Sequence, residues 1–276
     1  MAEPTSPNRD EDRPIWEAPT PPGGWGSPWP QCLELARALP ASKWTLVGGL
    51  MVQLHAAVAG IEVTRPTSDV DIILHVETGS VTAGELTETL RTLGYTLQTS
   101  LKDDAPAHRF VRGTEQIDVM VADHGVAKPP LLLGRRKVFR VPAGTQALQR
   151  TVYCRIDTGA GAVTVSIPNT LGALVLKGAA YREDSRDGRR HLDDAAVLAA
   201  TLKNPLGVVP ELKGSDRSRI ITLHRALADP LYPSWLMLEE KDRTQGQDAL
   251  RILATNPQDF ELPTGLAGGL GPNTGR

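Results

Sequence analysis

The chain of 276 residues contains only two cysteines and few aromatic residues. Cys32 and Cys154 lie far apart, and neither has a CxxC partner or a companion histidine at ligand spacing. This excludes a disulfide framework and a cysteine-ligated zinc site. Unpaired cysteines are usual in a reducing compartment, so we predict a cytoplasmic protein.

The sequence also lacks a long apolar run and an excess of charge. No segment approaches the roughly 20 apolar residues that a membrane-spanning helix needs. The opening MAEPTSPNRDEDRP is acidic and rich in proline, which is the wrong chemistry for a signal peptide. The formal net charge of -2 excludes an extensive positive field for gripping nucleic acid, although it leaves room for a local basic patch.

Proline is concentrated near the N-terminus, where residues 1–30 contain eight prolines and three glycines. Helices and central strands do not tolerate this composition, so we predict a disordered leader over 1–30. Two alternatives stay open for Trp16, Trp25 and Trp29 within it. They dock on the folded body or a partner, or they are apolar residues of an unstructured tail. The segment 263–276 is predicted to be a second disordered end.

Between these ends the hydrophobic pattern divides the chain in two. Residues 31–166 alternate short apolar strands with amphipathic helices, whereas residues 167–262 consist mainly of helical patterns such as NTLGALVLKGAAYRE. Strands followed by helices predict an α+β protein. We expect a mixed β-sheet domain with helices, followed by a helical C-terminal domain.

Two aspartates alternate with apolar residues in the segment SDVDIIL. Residues i and i+2 of a strand project from the same face, so Asp69 and Asp71 present parallel carboxylates. Two ionised carboxylates side by side repel each other unless a cation compensates them. Acidic oxygen sites select hard metals such as magnesium, which also binds substrate phosphates. The pair therefore predicts a magnesium site.

A third aspartate and a glycine pair accompany these two. Asp118 lies in the apolar strand QIDVMV, and it is the natural third ligand for two metal ions about 3.5–4 Å apart. Gly48-Gly49 ends a strand and opens a helix, where glycine lets a phosphate approach free backbone amides. Triphosphate and metal bind together, so the glycine pair gains weight from the acids that follow it.

The order GG, DVD, IDV resembles the signature of the polymerase-beta-type nucleotidyltransferase superfamily. Within it, GGLMVQLHAA and RPTSDVDIIL are most similar to the AbiEii-like group, which includes the nucleotidyltransferase toxins of toxin–antitoxin systems. The resemblance covers residues 44–200. The matching positions are Leu54-His55, Arg65, Thr67, Ser68, Asp69, Asp71, Lys177 and Asp193-Asp194.

Two features depart from that pattern. The nineteen residues 50–68, between the glycines and Asp69, exceed the usual spacing of the superfamily. Glycine also occupies the second position of the pair, where many members have serine. A hydroxyl contact to phosphate is therefore expected only from Ser68 or Thr67.

The resemblance implies roles for residues of the later helices. Lys177 would contact the nucleotide phosphates, and the alternative is a lysine that extends along the helix to solvent. Asp194 would orient Lys177 or the substrate, and the alternative is a solvated helix face. The expected nucleotide-binding residues are Gly48, Gly49, Ser68, Lys177 and Asp194. The expected catalytic and metal-binding residues are Asp69, Asp71 and Asp118.

The remaining polar residues carry weaker predictions. His55 is expected to be a hydrogen-bonded core residue rather than a catalyst, and Arg109 is a candidate contact of the triphosphate. The basic run Arg135, Arg136, Lys137 and Arg140 meets an RNA backbone or is a solvated charged surface. Because aromatic residues are scarce outside the leader, the sequence indicates no platform for base stacking, and the donor base stays unassigned.

Together these patterns predict an enzyme that transfers a nucleoside monophosphate from a triphosphate to an acceptor hydroxyl, with magnesium as cofactor. The toxin resemblance implies the 3′ end of tRNA as acceptor and a cognate antitoxin protein as partner, with no membrane involved. Two alternatives stay open: modification of a small molecule such as an aminoglycoside, and a non-catalytic nucleotide-binding protein. The complete set of acids disfavours the last, because a degenerate site would have lost one.

Overall fold

The computed structural model describes residues 13–21, 23–62, 66–76, 79, 81–99, 105–124 and 131–256. Its strands are β1 (Ile15–Ala18), β2 (Trp44–Val47), β3 (Asp69–Leu74), β4 (Thr96–Gln98), β5 (Arg109–Arg112), β6 (Glu115–Ala122), β7 (Leu132–Leu133), β8 (Arg136–Lys137), β9 (Phe139–Val141), β10 (Thr151–Asp157) and β11 (Ala162–Pro168). Its α-helices are α1 (Trp29–Ala38), α2 (Gly48–Ala59), α3 (Ala83–Thr92), α4 (Gly144–Leu148), α5 (Thr170–Glu183), α6 (Gly188–Thr201), α7 (Pro205–Val208), α8 (Asp216–Ala226), α9 (Pro233–Leu236) and α10 (Glu240–Ala254).

The larger sheet is mixed and has the strand order β2-β3-β6-β5-β4, with β9 also paired to β6. β3 and β6 are parallel, while β2 and β5 run antiparallel to their neighbours. A parallel pair needs a crossover connection, and α3 with the β4–β5 hairpin supplies it here. The predicted α+β class with a mixed sheet is confirmed.

Alternation along the two central strands separates the core from a polar cleft. In β6, Ile117 and Val119 are fully buried, whereas Asp118 and Met120 project to the opposite face. β3 begins with its two aspartates and ends in the buried run Ile72–Leu74. The acids therefore stand on strands whose other face is anchored in the core.

Helices follow β11, as the sequence pattern predicts. α5 is buried around its whole circumference up to Ala179, which suits a helix that is apolar on all sides. It packs against α6 and α8, and α6 in turn contacts α2. Gly178 makes the α8 contact possible, because a β-carbon there would lie 2.7 Å from the carbonyl oxygen of Arg219. The boundary at 166/167 between two domains stays a prediction.

The N-terminal leader differs from the prediction of disorder over 1–30. Residues 15–18 form β1, which pairs in parallel with β10, and α1 begins at Trp29. Proline excludes helix and central strand but permits an edge strand, and β1 is an edge strand of its three-stranded sheet. Residues 1–12 and the predicted disordered end 263–276 lie outside the described residues.

The three tryptophans of the leader dock on the folded body. Trp29 Nε1 donates a hydrogen bond to the side-chain oxygen of Gln53 at 2.7 Å, and Trp25 Nε1 donates to the carbonyl oxygen of Asp157 at 2.7 Å. The Trp16 ring packs edge-on against His55, with ring centroids 5.3 Å apart. Of the two alternatives for these residues, docking on the folded body is the correct one.

Cys32 and Cys154 are both buried free thiols. None of the helices within the described ranges is long and apolar enough to cross a membrane.

Candidate functional site

The three predicted acids meet at the centre of the larger sheet. Asp71 lies directly beside Asp118 in the parallel register of β3 and β6, and Asp69 precedes Asp71 by two positions on the same face. One carboxylate oxygen from each of the three lies within 4.8 Å of the others. Three hard oxygen donors at this spacing fit a divalent cation such as magnesium.

The electrostatics of this cluster favour a cation. Burial raises the pKa of Asp71 to about 7, and the charges of Asp69 and Asp118 push it in the same direction. Lys177 and Arg190 oppose this rise without cancelling it. A carboxylate that resists ionisation beside two others is stabilised most directly by a bound positive charge, so the donor set fits a metal.

Gly48 is required by its contact with Asp71. It has φ +68, in the left-handed region, and a β-carbon there would lie 1.9 Å from Asp71 Oδ2. The preceding residue, Val47, is the antiparallel partner of Asp71, so the turn from β2 into α2 passes directly over the carboxylate. Gly49 follows in the first turn of α2 and lines the same cleft. The glycine pair thus borders the acids, as the sequence predicts for a phosphate-binding turn.

Arg109 binds Asp118 through a two-pronged ion pair. Its Nε donates to Oδ1 at 2.9 Å, and its Nη2 donates to Oδ2 at 2.8 Å. The two residues are register partners on β5 and β6, and Asp118 raises the pKa of Arg109. Each carboxylate oxygen has a second lone pair, so Asp118 keeps the capacity to bind a metal. The guanidinium lines the cleft, but its partner is an acid of the triad.

Lys177 and Asp194 form a buried ion pair at the opposite wall. The Lys177 ammonium lies 2.6 Å from Asp194 Oδ2, and the two residues are 5% and 1% exposed. The alternatives of a lysine reaching solvent and of a solvated helix face are therefore wrong. Asp193, next to Asp194, points elsewhere and accepts a hydrogen bond from the Ser234 hydroxyl at 2.6 Å.

A cleft of about 610 Å³ separates these two walls. The sheet contributes the three acids and Arg109 to its lining, and the α5–α6 region contributes Lys177 and its partner. The acidic floor fits a cation, and the opposite wall carries the Lys177 ammonium together with Arg186 and Arg190, interspersed with Glu183, Asp184 and Asp194. Both walls therefore offer groups that a metal-bound phosphate could contact.

Comparison with known proteins adds little to this geometry. The chain matches no protein-family model and no curated protein. Among solved structures it resembles an antigenic nucleotidyltransferase-like protein from Paracoccidioides brasiliensis, with 16% identity and a TM-score of 0.43. The alignment covers 83% of this chain and 95% of that chain. At this degree of likeness nothing follows about the activity of this chain.

The turn between α5 and α6 adds a group that the sequence analysis did not identify. Asp184 accepts hydrogen bonds from the backbone amides of Arg186 and Asp187, which hold its pKa well below the usual range. It also binds the Arg190 guanidinium at 2.9 Å and His191 Nε2 at 3.2 Å. Burial lowers the pKa of His191 to about 4. The sequence signal for a charged group here is the basic segment GRRH, which begins α6 shortly after α5, the helix that bears Lys177.

An apolar ledge borders the acids on the far side of β6. Met120, Phe139, Val141 and Pro142 line this part of the cleft. The Phe139 ring is 39% exposed and packs against His108 with ring centroids 5.7 Å apart. The low aromatic content of the sequence gives no sign of this ring, because its place in the cleft depends on the pairing of β9 with β6.

The other predicted positions have diverse surroundings. Ser68 is exposed and is not part of the cleft lining, whereas Thr67 lines the cleft and donates to Asp69 Oδ1 at 3.3 Å. His55 is buried and its Nε2 hydrogen-bonds to the carbonyl oxygen of Pro168 at 3.0 Å, as expected for a core residue. Arg65 lies outside the described residues. The phosphate role of Ser68 stays a prediction.

Proposed function

We propose that this protein is a metal-dependent nucleotidyltransferase, which moves a nucleoside monophosphate from a triphosphate to an acceptor hydroxyl. The observation that carries the proposal is the meeting of three carboxylate oxygens within 4.8 Å, across a cleft from a buried lysine. Nucleotidyl transfer uses both features, because the metal neutralises the phosphates and the lysine gives the leaving pyrophosphate a further positive contact.

The two ends of the substrate use different parts of the cleft. Asp69, Asp71 and Asp118 would hold magnesium, which when bound neutralises the phosphates and lowers the pKa of the acceptor hydroxyl. The amides that follow Gly48 receive the β- and γ-phosphates at the N-terminus of α2. Lys177 completes the phosphate site from the opposite wall, and Asp194 fixes the position of its ammonium.

The reaction itself is one in-line displacement. The acceptor oxygen forms a bond to the α-phosphorus while the bond from that phosphorus to the bridging oxygen breaks, and pyrophosphate leaves. Asp118 takes the proton of the acceptor hydroxyl through a lone pair that Arg109 leaves free. Arg109 holds the Asp118 carboxylate in one orientation during this transfer. Lys177 stabilises the charge that develops on the leaving pyrophosphate.

The acceptor that the resemblance implies is the 3′ end of tRNA, and we adopt it as part of the proposal. Modification of that end stops aminoacylation, which fits a cytoplasmic toxin restrained by a cognate antitoxin. The exposed basic residues Arg135, Lys137 and Arg140 support a polyanionic acceptor rather than a cationic drug.

Transfer to RNA can be tested directly. Purified protein is incubated with magnesium, total tRNA and each triphosphate labelled at the α-phosphate, beside a variant with Asp69→Ala and Asp71→Ala. We expect label on tRNA only with the intact acids and only with a divalent cation. A parallel incubation contains an aminoglycoside in place of tRNA, and labelling of this amino-sugar but not of tRNA would retain the chemistry and replace the acceptor. Absence of transfer to any acceptor class would leave the proposal without support.

A further inference from the structure

The apolar ledge of the cleft, formed by Met120, Phe139, Val141 and Pro142, has no role in the transfer chemistry of the proposed function. Phe139 stands at the start of β9 with 39% of its surface exposed. Its ring and that of His108 are inclined by 55° at a centroid distance of 5.7 Å, which is a favourable geometry for an aromatic pair. Both residues line the cleft, so His108 supports a ring that remains accessible from it.

Phe139 and the glycine pair flank the acids from opposite sides. β9 pairs with β6 so that Phe139 lies beside Met120, which follows Asp118 by two positions on the same face. Gly48 follows β2, which is on the other side of β3 from β6. Across the sheet, the spatial order is therefore the glycine pair, the three aspartates and the Phe139 ring.

The direction of an in-line displacement decides which substrate reaches the ring. The leaving pyrophosphate and the incoming hydroxyl lie on opposite sides of the α-phosphorus. If the glycines hold the pyrophosphate, as in the proposed function on which this inference rests, the acceptor enters from the side of Asp118 and Phe139. We propose that Phe139 is a positioning residue on which the terminal base of a single-stranded nucleic acid acceptor stacks.

The charge next to the ring fits the same acceptor. Residues 137–139 are extended and pair with Ala107, so Lys137 and Phe139 project to the same side. Lys137 is exposed, and so is Arg135 in the preceding turn. A stacking ring with cations along the strand is the usual way in which proteins bind single strands without reading their sequence. A cationic acceptor would be repelled at this edge.

The test is binding rather than turnover. A short single-stranded RNA, labelled at its 5′ end, is titrated with full-length protein in magnesium and a triphosphate analogue that cannot be cleaved, and binding of the labelled analogue itself is titrated in parallel. Phe139→Ala should weaken RNA binding roughly five- to 150-fold, and Phe139→Trp should retain it. Leu231→Ala, at another exposed apolar residue that does not line the cleft, should bind like the wild type.

A second RNA separates stacking from a general loss of structure. An RNA whose terminal nucleotide is abasic should bind the wild type about as weakly as the intact RNA binds Phe139→Ala, and it should lose nothing more with that variant. Equal binding of the intact RNA by wild type and Phe139→Ala overturns the proposal. So does a loss confined to the triphosphate analogue, since the ring would then hold the donor base.

Failure of the proposed function gives a different result in the same experiment. It would show as absence of magnesium-dependent binding of the triphosphate analogue, whatever the RNA does. Absence of RNA binding by the wild type, with the analogue still bound in magnesium, overturns only the role of Phe139.

Discussion

Replacing Gly48 by alanine tests whether the glycine pair shapes the acid cluster. Gly48 and Gly60 stand at the two ends of α2 and have nearly the same positive φ, +68 and +71. A side chain in this left-handed region costs roughly 1–2 kcal/mol. In a chain of this size that lowers the melting temperature by roughly 2–8 °C. Both substitutions should therefore destabilise the protein by a similar backbone term.

The two positions differ in what the new β-carbon meets. At Gly60 nothing lies within 4 Å, whereas at Gly48 the β-carbon would be 1.9 Å from Asp71 Oδ2 and 2.7 Å from its Cγ. Either the carboxylate turns away or the β2–α2 turn opens, by on the order of 1 Å, and a displacement of that size can cost roughly 100-fold in rate.

Thermal unfolding and the labelled transfer assay together separate these effects. Gly60→Ala should lower the melting temperature and keep wild-type turnover. Gly48→Ala should lower the melting temperature at least as much and lose roughly 100-fold in turnover. Equal turnover of the two variants would refute the reasoning, because contact with Asp71 would then have no consequence for the reaction.

Three further predictions follow from the surroundings of the cleft. Lys177→Met should cost about 3–5 kcal/mol in the free energy of unfolding by urea, because the Asp194 carboxylate stays buried without its ammonium partner. Adding Asp194→Leu should recover most of that stability without restoring transfer, and a double variant as unstable as the single one would contradict this. Arg109→Gln should raise the magnesium concentration needed for half-maximal transfer by roughly 10–100-fold, because Arg109 orients the Asp118 carboxylate. Arg112→Gln, whose partners lie off the cleft, should leave that concentration unchanged, and the same magnesium requirement in both variants would exclude the positioning of Asp118 by Arg109. Burial lowers the pKa of His55 to about 4 from an unfolded value of about 6.5, so the unfolded state binds the extra proton first and stability should fall as the pH drops from 6.5 to 4. His55→Gln should make this fall in melting temperature shallower, while the part due to His191 remains, and an unchanged slope would contradict the reasoning.

The acids and the glycine turn could be predicted because their signals are local. A strand that begins with Asp-Val-Asp and continues into Ile-Ile-Leu fixes which face each carboxylate takes, whatever the sheet around it. The α+β class followed in the same way from the change of hydrophobic period near residue 168. What the sequence could not supply was the register that puts Asp71 beside Asp118.

The parts that were missed depend on contacts between distant segments. β1 was hidden because its partner β10 begins far along the chain, and a proline-rich composition gives no hint of an edge strand. Arg109 lines the cleft, and its contact with a triphosphate stays a prediction, whereas its ion pair with Asp118 depends on a cross-strand register that the sequence does not give. Phe139 lies in a short basic segment that reads as solvated surface, and only its pairing with Met120 brings it to the cleft.

The fate of the two ends of the triphosphate is the most direct test of nucleotidyl transfer. Protein, magnesium and RNA are incubated with triphosphate labelled either at the α- or at the γ-phosphate, and RNA and small molecules are separated. The geometry of the cleft predicts that α-label appears on RNA and γ-label appears only in pyrophosphate. Label from the γ-position on the acceptor, or release as orthophosphate with no α-label transferred, would contradict it and indicate a kinase or a hydrolase.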